Sequence, residues 1–88
     1  MKYEWDENKN QANIVKHGIS FEELEYFDWE VVAIQPDNKQ NYNEQRYAAQ
    51  SFIGGRLYVL IFTIRGDNIR AISLRKASKQ EMRDYYNG

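Results

Sequence analysis

The chain contains no cysteine, one histidine and one proline. Without cysteine there is no disulfide, which fits a reducing compartment. A lone histidine and no cysteine also exclude the Cys/His ligand sets of structural zinc. No run approaches the roughly 20 apolar residues that a bilayer-spanning helix needs. The opening MKYEWDENKN carries no apolar signal region. These absences point to a soluble, cytoplasmic protein with no membrane association.

What is present is enough for one domain spanning 1–88. Of the 88 residues, 42% are apolar and 15% aromatic, a globular rather than a disordered composition. A chain of this size buries roughly 60–65% of its unfolded surface, so it holds one modest core. The net charge of −1 conceals a split. Residues 1–44 hold four Lys against ten Asp or Glu. Residues 45–88 hold six Arg and two Lys against three acids. A basic half of this kind either meets an external anion or is attracted to the acidic half within the fold.

Local signals give an α-α-β-β-β-β-α order. Tyr3 to Trp5 is a short strand or a lead-in. Asp6 caps a helix over Glu7 to His17, with Glu7 in its first turn, Lys16 and His17 in its last, and Gly18 just beyond. Ser20-Phe21-Glu22-Glu23 is a capping box that opens a second helix, with Phe21, Leu24 and Phe27 on one face. Glu30 to Pro36 turns to β-branched residues and is a strand, followed by a polar loop over 37–43. Gly54-Gly55 joins strands at Glu44–Ile53 and Arg56–Arg65. Gly66-Asp67-Asn68 leads to a strand over Ile69–Lys76. Ser78 to Glu81 is another capping box, with Ala77 and Met82 as its hydrophobic staple, and opens a short C-terminal helix. The fold class is α+β: two N-terminal helices, an antiparallel sheet of about four strands and a C-terminal helix.

The register follows from the turns. A two-residue Gly54-Gly55 loop sets Phe52 opposite Leu57, Ala48 opposite Ile61, Arg46 opposite Thr63 and Glu44 opposite Arg65. A three-residue Gly66–Asn68 loop sets Thr63 opposite Ala71, Ile61 opposite Ser73 and Val59 opposite Arg75. Side chains alternate between faces. One face then holds Tyr47, Ala49, Ser51, Ile53, Tyr58, Leu60, Phe62, Ile64, Ile72 and Leu74, and the helices pack there. The other holds Arg46, Arg65 and Arg75 with Glu44, while Arg70 falls on the helix side as a solvated residue near the turn.

Guanidinium forks bind phosphate in bidentate fashion at any physiological pH. Several on one face can stabilise a pentacoordinate phosphorane during RNA cleavage, in which a 2′-hydroxyl attacks the adjacent phosphate. That reaction needs a base and an acid. Glu44 is a candidate base or positioner of arginine. His17 is the one side chain whose ordinary pKa lies near neutrality. The competing reading is structural: Glu44 and Arg65 as an ordinary cross-strand ion pair, His17 as a cation at a helix C-terminus, and Tyr85 as packing for the last helix rather than a base-stacking platform.

The run WDENKNQANIVKHGISFEEL resembles the WDxxKxxxNxxKHGxxFEEA opening of the BrnT family, through Trp5, Asp6, Lys9, Asn13, Lys16, His17, Gly18, Phe21, Glu22 and Glu23. The runs Glu44–Tyr47, Thr63–Arg65 and AISLRKAS, with Glu81 and Tyr85, resemble the rest of that pattern. The resemblance implies a RelE-like fold and a bacterial type II toxin that arrests translation by cleaving RNA, with no metal and no cofactor. It also implies a BrnA-like antitoxin that dimerises and carries the complex to operator DNA. On this reading Arg65, Arg75, Glu44 and His17 are the catalytic candidates, and Arg46, Lys16, Lys76 and Tyr85 contact the substrate. Two other readings stay open: an inactive homologue that binds antitoxin and co-represses, and a gyrase-directed toxin.

Overall fold

The computed structural model describes residues 2–37 and 43–88. The expected polar loop falls mostly on 38–42, outside the described residues. Five strands form one sheet: β1 (Lys2–Glu4), β2 (Ala33–Pro36), β3 (Tyr47–Ile53), β4 (Arg56–Arg65) and β5 (Asn68–Lys76). Their order is β1-β5-β4-β3-β2. All pairs are antiparallel except β1 with β5. Helix α1 (Glu7–His17) follows β1, and α2 (Lys79–Asn87) closes the chain. The sheet is therefore mixed and five-stranded, not an antiparallel sheet of about four.

The expected second helix is a 3₁₀ helix, Phe21–Tyr26, followed by another at Trp29–Val31. The Ser20 hydroxyl accepts from the Glu22 N–H, a tighter turn than the N3 bond of a capping box. The segment anchors itself by apolar insertion: Phe21 and Leu24 are fully buried and Phe27 nearly so. Asp28 then hooks onto β3, its N–H donating to the Phe52 carbonyl at 3.0 Å and its own carbonyl accepting from the Ser51 hydroxyl.

Helix α1 begins and ends as its sequence dictates. The Asp6 carboxylate accepts from the Asn8 N–H, and Gly18 takes the left-handed conformation (φ 73°) while its N–H returns to the Ile14 carbonyl. Asn13 ties this helix to the sheet. Its side chain bonds the Leu74 carbonyl (2.8 Å), the Leu74 N–H (3.0 Å) and the Ile19 carbonyl (3.0 Å). It thus satisfies the edge of β5 where β1 has ended, a backbone edge that would otherwise be left unpaired.

The β3–β4 register is the expected one, Tyr47↔Phe62 through Ile53↔Arg56. Gly54 takes φ 62°, as the first position of a II′ turn requires. The β4–β5 register is as expected only at the far end, where Val59↔Arg75 and Ile61↔Ser73 hold. Beyond a bulge the pairs are Phe62↔Ala71, Thr63↔Arg70 and Arg65↔Asn68. The turn is thus two residues, Gly66-Asp67, and the extra residue sits at Ile72. The bulge reverses two placements. Ile69 and Ala71 enter the main core, at 4% and 2% exposure. Arg70 moves to the face of Thr63 and Arg65, where its guanidinium bonds Glu4 at 2.8 Å.

The main core lies between the sheet and the N-terminal helices, around Phe21, Leu24, Phe27, Ala49, Leu60, Phe62 and Leu74. Burial of each large side chain contributes about 1.5–3 kcal/mol. The expectation that every helix packs on that face fails at α2. This helix crosses the opposite face, where Met82, Tyr85 and Ala77 cover Phe52, Leu57, Val59 and Ile61. The apolar first half of β4 on that face requires a cover, and α2 supplies it.

Candidate functional site

Arg65 and Arg75 project from the same face of the sheet, the one that carries α2. By register they are opposite Asn68 and Val59, six residues apart along β4. At about 3.4 Å per residue their backbones lie about 20 Å apart. They mark two ends of one sheet face rather than one point.

At the first end, Arg65 lies 3.7 Å from the Glu44 carboxylate, beyond hydrogen-bond distance, with half of its side chain open to solvent. Its fork is loosely held and can turn to a ligand. Beside it, Arg70 and Asn68 bond Glu4. Those two bonds, Asn68 first, draw the Glu4 carboxyl below its ordinary pKa. Arg46 enters this end from the segment before β3, half-buried. Its carbonyl accepts from the Asp37 N–H at 2.8 Å, and the carbonyl of its neighbour Gln45 accepts from Thr63.

At the second end, Arg75 is gripped by Glu81 of α2 through two parallel bonds of 2.7 and 2.9 Å. Glu81 also accepts from the Ser78 N–H, completing the capping box that starts the helix. The Arg75 bonds, with help from Ser78, hold the Glu81 carboxyl down to about 2 against the opposing effect of burial. The Arg75 pKa rises in return. This pair lines the first of two cavities. One, of 240 Å³, is lined by Gln35, Asp37, Gln50, Val59, Arg75 and Glu81. The other, of 210 Å³, lies between α1 and β5 and is lined by Lys9, Asn13, Lys16, His17, Ile72 and Ser73. Burial, then the positive charges of Lys16 and Arg75, pushes the His17 pKa below its ordinary value. His17 therefore lies within the field of Arg75, and its neutral form is favoured.

The structure thus brings Arg65 within 3.7 Å of Glu44, sets Lys16 and His17 together in the cavity between α1 and β5, and sets Arg75 with Glu81 in the other cavity. Two candidates point elsewhere. Lys76 pairs with Tyr58 and so leaves the sheet on the α1 side, away from Arg75. Tyr85 donates its hydroxyl to the Val31 carbonyl (2.6 Å) and packs edge-on against Phe52. Sequence reasoning gave no site role to Glu81 or Lys9. Glu81 was legible as a capping residue and as part of the family pattern. Lys9 lies seven residues before Lys16, with Ala12 and Asn13 between them on the same helix stripe, a spacing that places both lysines over one patch. Among the described residues no three His, Cys, Asp or Glu side chains cluster as a metal ion would need, and no helix is long and apolar enough to cross a membrane.

A family model, described as the ribonuclease toxin BrnT of type II toxin–antitoxin systems, matches residues 5–81. The match runs from Trp5, ahead of α1, to Glu81 in the first turn of α2, and so includes both Arg65 and Arg75. No curated protein matches the chain.

Proposed function

The chain belongs to the BrnT family of ribonuclease toxins of type II toxin–antitoxin systems, and from that premise we propose that it is a RelE-like, metal-independent endoribonuclease whose catalytic face is the groove between Arg65 and Arg75. The observation that carries this reading is the placement of both arginines on one side of the sheet, with His17 in the field of the second.

A single RNA strand runs along β4. Arg65, beside Glu44, and Arg46 hold its phosphates at one end. Lys16 holds them at the other. A positively charged groove that tracks the backbone grips single strands without base readout. The scissile phosphate sits at Arg75. Neutral His17 takes the proton of the 2′-hydroxyl as the 2′-oxygen bonds to phosphorus. The bond from phosphorus to the 5′-oxygen breaks, and that oxygen takes a proton from water. Arg75 stabilises the charge that builds on the phosphorane oxygens. Glu81 fixes the Arg75 fork, so little reorganisation is needed when charge develops. The products are a 2′,3′-cyclic phosphate and a 5′-hydroxyl. In the bacterial cytoplasm such cleavage arrests translation until a BrnA-like antitoxin binds, and the bound pair reaches operator DNA through the antitoxin.

The test is incubation of the purified protein with single-stranded RNA in the presence of EDTA. Fragments that end in cyclic phosphate are expected, together with arrested growth on expression. Intact RNA with tight antitoxin binding would replace this reading with a non-catalytic co-repressor. Intact RNA with double-strand DNA breaks would replace it with a gyrase-directed toxin.

A further inference from the structure

The opposite face of the sheet carries a second feature that the RNA groove does not use. Beyond the cover of α1 and the 3₁₀ helices, a 620 Å³ trough opens over the strands, lined by Tyr3, Trp29, Ile34, Tyr47, Phe62, Ile64 and Ile69. Each strand contributes: Tyr3 from β1, Ile69 from β5, Phe62 and Ile64 from β4, Tyr47 from β3 and Ile34 from β2. The lining is almost wholly apolar. Ile34 and Ile64 are 50% and 41% exposed. The wall is rigid. The Trp29 indole donates to the Tyr3 hydroxyl and packs edge-on against Phe62, and Tyr47 stacks on Phe62 with centroids 5.4 Å apart.

The dimensions favour a helix. Five strands spaced about 4.8 Å apart give a trough about 19 Å long. At 1.5 Å per residue that length fits about 13 helical residues, or three to four turns. A helix laid there would extend the layer that α1 begins, with apolar anchors at i, i+3, i+4 and i+7. The charge beside the trough selects its flank. Residues 22–30, which lead into the Trp29 wall, hold Glu22, Glu23, Glu25, Asp28 and Glu30, all exposed, and no Lys or Arg. Exposed Tyr26 lies in the same stretch, and exposed Val31 follows it directly.

We propose that this trough is the docking site for an amphipathic helix of the antitoxin, with an apolar ridge seated on Ile34, Tyr47 and Ile64 and a Lys/Arg-rich flank facing the acidic 22–30 stretch. The assignment rests on the toxin–antitoxin family, which requires an antitoxin partner, and not on RNA cleavage. It makes the antitoxin's main anchor a surface on the far side of the sheet from Arg65 and Arg75. Basic-to-acidic pairing at the rim speeds association and makes it salt-sensitive, while the apolar ridge sets the off-rate.

The experiment uses the purified full chain and the purified antitoxin encoded beside it. Ile34→Glu and Ile64→Glu are measured for antitoxin affinity, for RNA cleavage and for thermal midpoint. The expected result is affinity at least ~100-fold weaker, which corresponds to about 2.7 kcal/mol, with cleavage and thermal midpoint within error of the parent. A second variant replaces Glu22, Glu23, Glu25 and Glu30 by Gln. It is expected to slow association several-fold and to flatten its salt dependence. Affinity unchanged in both Ile variants overturns the proposal, as does a loss of self-association with antitoxin affinity unchanged, which would make the occupant a second copy. Loss of antitoxin affinity in Arg65→Ala with none in the Ile variants would move the partner to the RNA groove. Absence of cleavage in the parent would sink the ribonuclease reading and leave the docking result to stand by itself.

Discussion

Glu81 holds Arg75 through both of its carboxylate oxygens, at 2.7 and 2.9 Å, and one of those oxygens also caps α2. A single carboxylate therefore fixes the groove's second arginine and starts the helix that covers the sheet beside it. Replacing it by Ala removes a charge-assisted pair and a capping bond together, at a cost of about 2–4 kcal/mol. Urea unfolding measures this, and Glu81→Gln should recover part of the loss through the cap alone.

The same carboxylate sets an acid limit. Its folded pKa of about 2 lies below the ordinary value of 4.5. A carboxyl whose pKa is depressed by folding contributes stability above its unfolded pKa, and loses it as pH falls through the folded value. Stability should thus decline between about pH 4.5 and pH 2, and Glu81→Gln should decline less steeply over that window. Parallel slopes for the two proteins in acid titration would refute the coupling.

His17 is the one histidine, so its titration by NMR needs no assignment. The midpoint should fall below 6.5, because burial and the charges of Lys16 and Arg75 disfavour its protonated form. Arg75→Ala removes one of these charges and should move the midpoint upward. As a base, His17 must be neutral, so cleavage should rise with pH through that midpoint and level off above it.

Asn13 makes three buried bonds that join α1, the Ile19 carbonyl and the open edge of β5. Asn13→Ala leaves both the N–H and the carbonyl of Leu74 without their partner. A loss of about 2–4 kcal/mol is expected from urea unfolding, larger than for Ala at any exposed position of α1.

These particulars show where the sequence was readable. Asp6 and Gly18 bound α1 because caps act within one turn, and Gly54-Gly55 fixed the β3–β4 register because a tight turn leaves one pairing. The bulge at Ile72 was hidden because Gly66-Asp67-Asn68 suits a two-residue or a three-residue loop equally, and its cost is settled by Ile69 and Ala71 entering the core. The parallel pairing of Tyr3 with Ile69 joins residues far apart in the chain and leaves no local trace. The α2 cover had a trace, in the apolar positions Phe52, Leu57, Val59 and Ile61, but the charged positions on the same face masked it. For the site, alternation along β4 together with the pairing of Val59 and Arg75 was enough to put Arg65 and Arg75 on one side. It carried no information on the grip of Glu81, which depends on where α2 lands.

The most direct test is the cleavage rate of single-stranded RNA by Arg65→Ala and Arg75→Ala, each checked for an unchanged fold by circular dichroism. The account predicts a fall of about 10²–10³-fold for Arg75→Ala, the loss of a transition-state donor, and weaker RNA binding with a shallower salt dependence for Arg65→Ala. Parent-like cleavage and binding in both variants would contradict it.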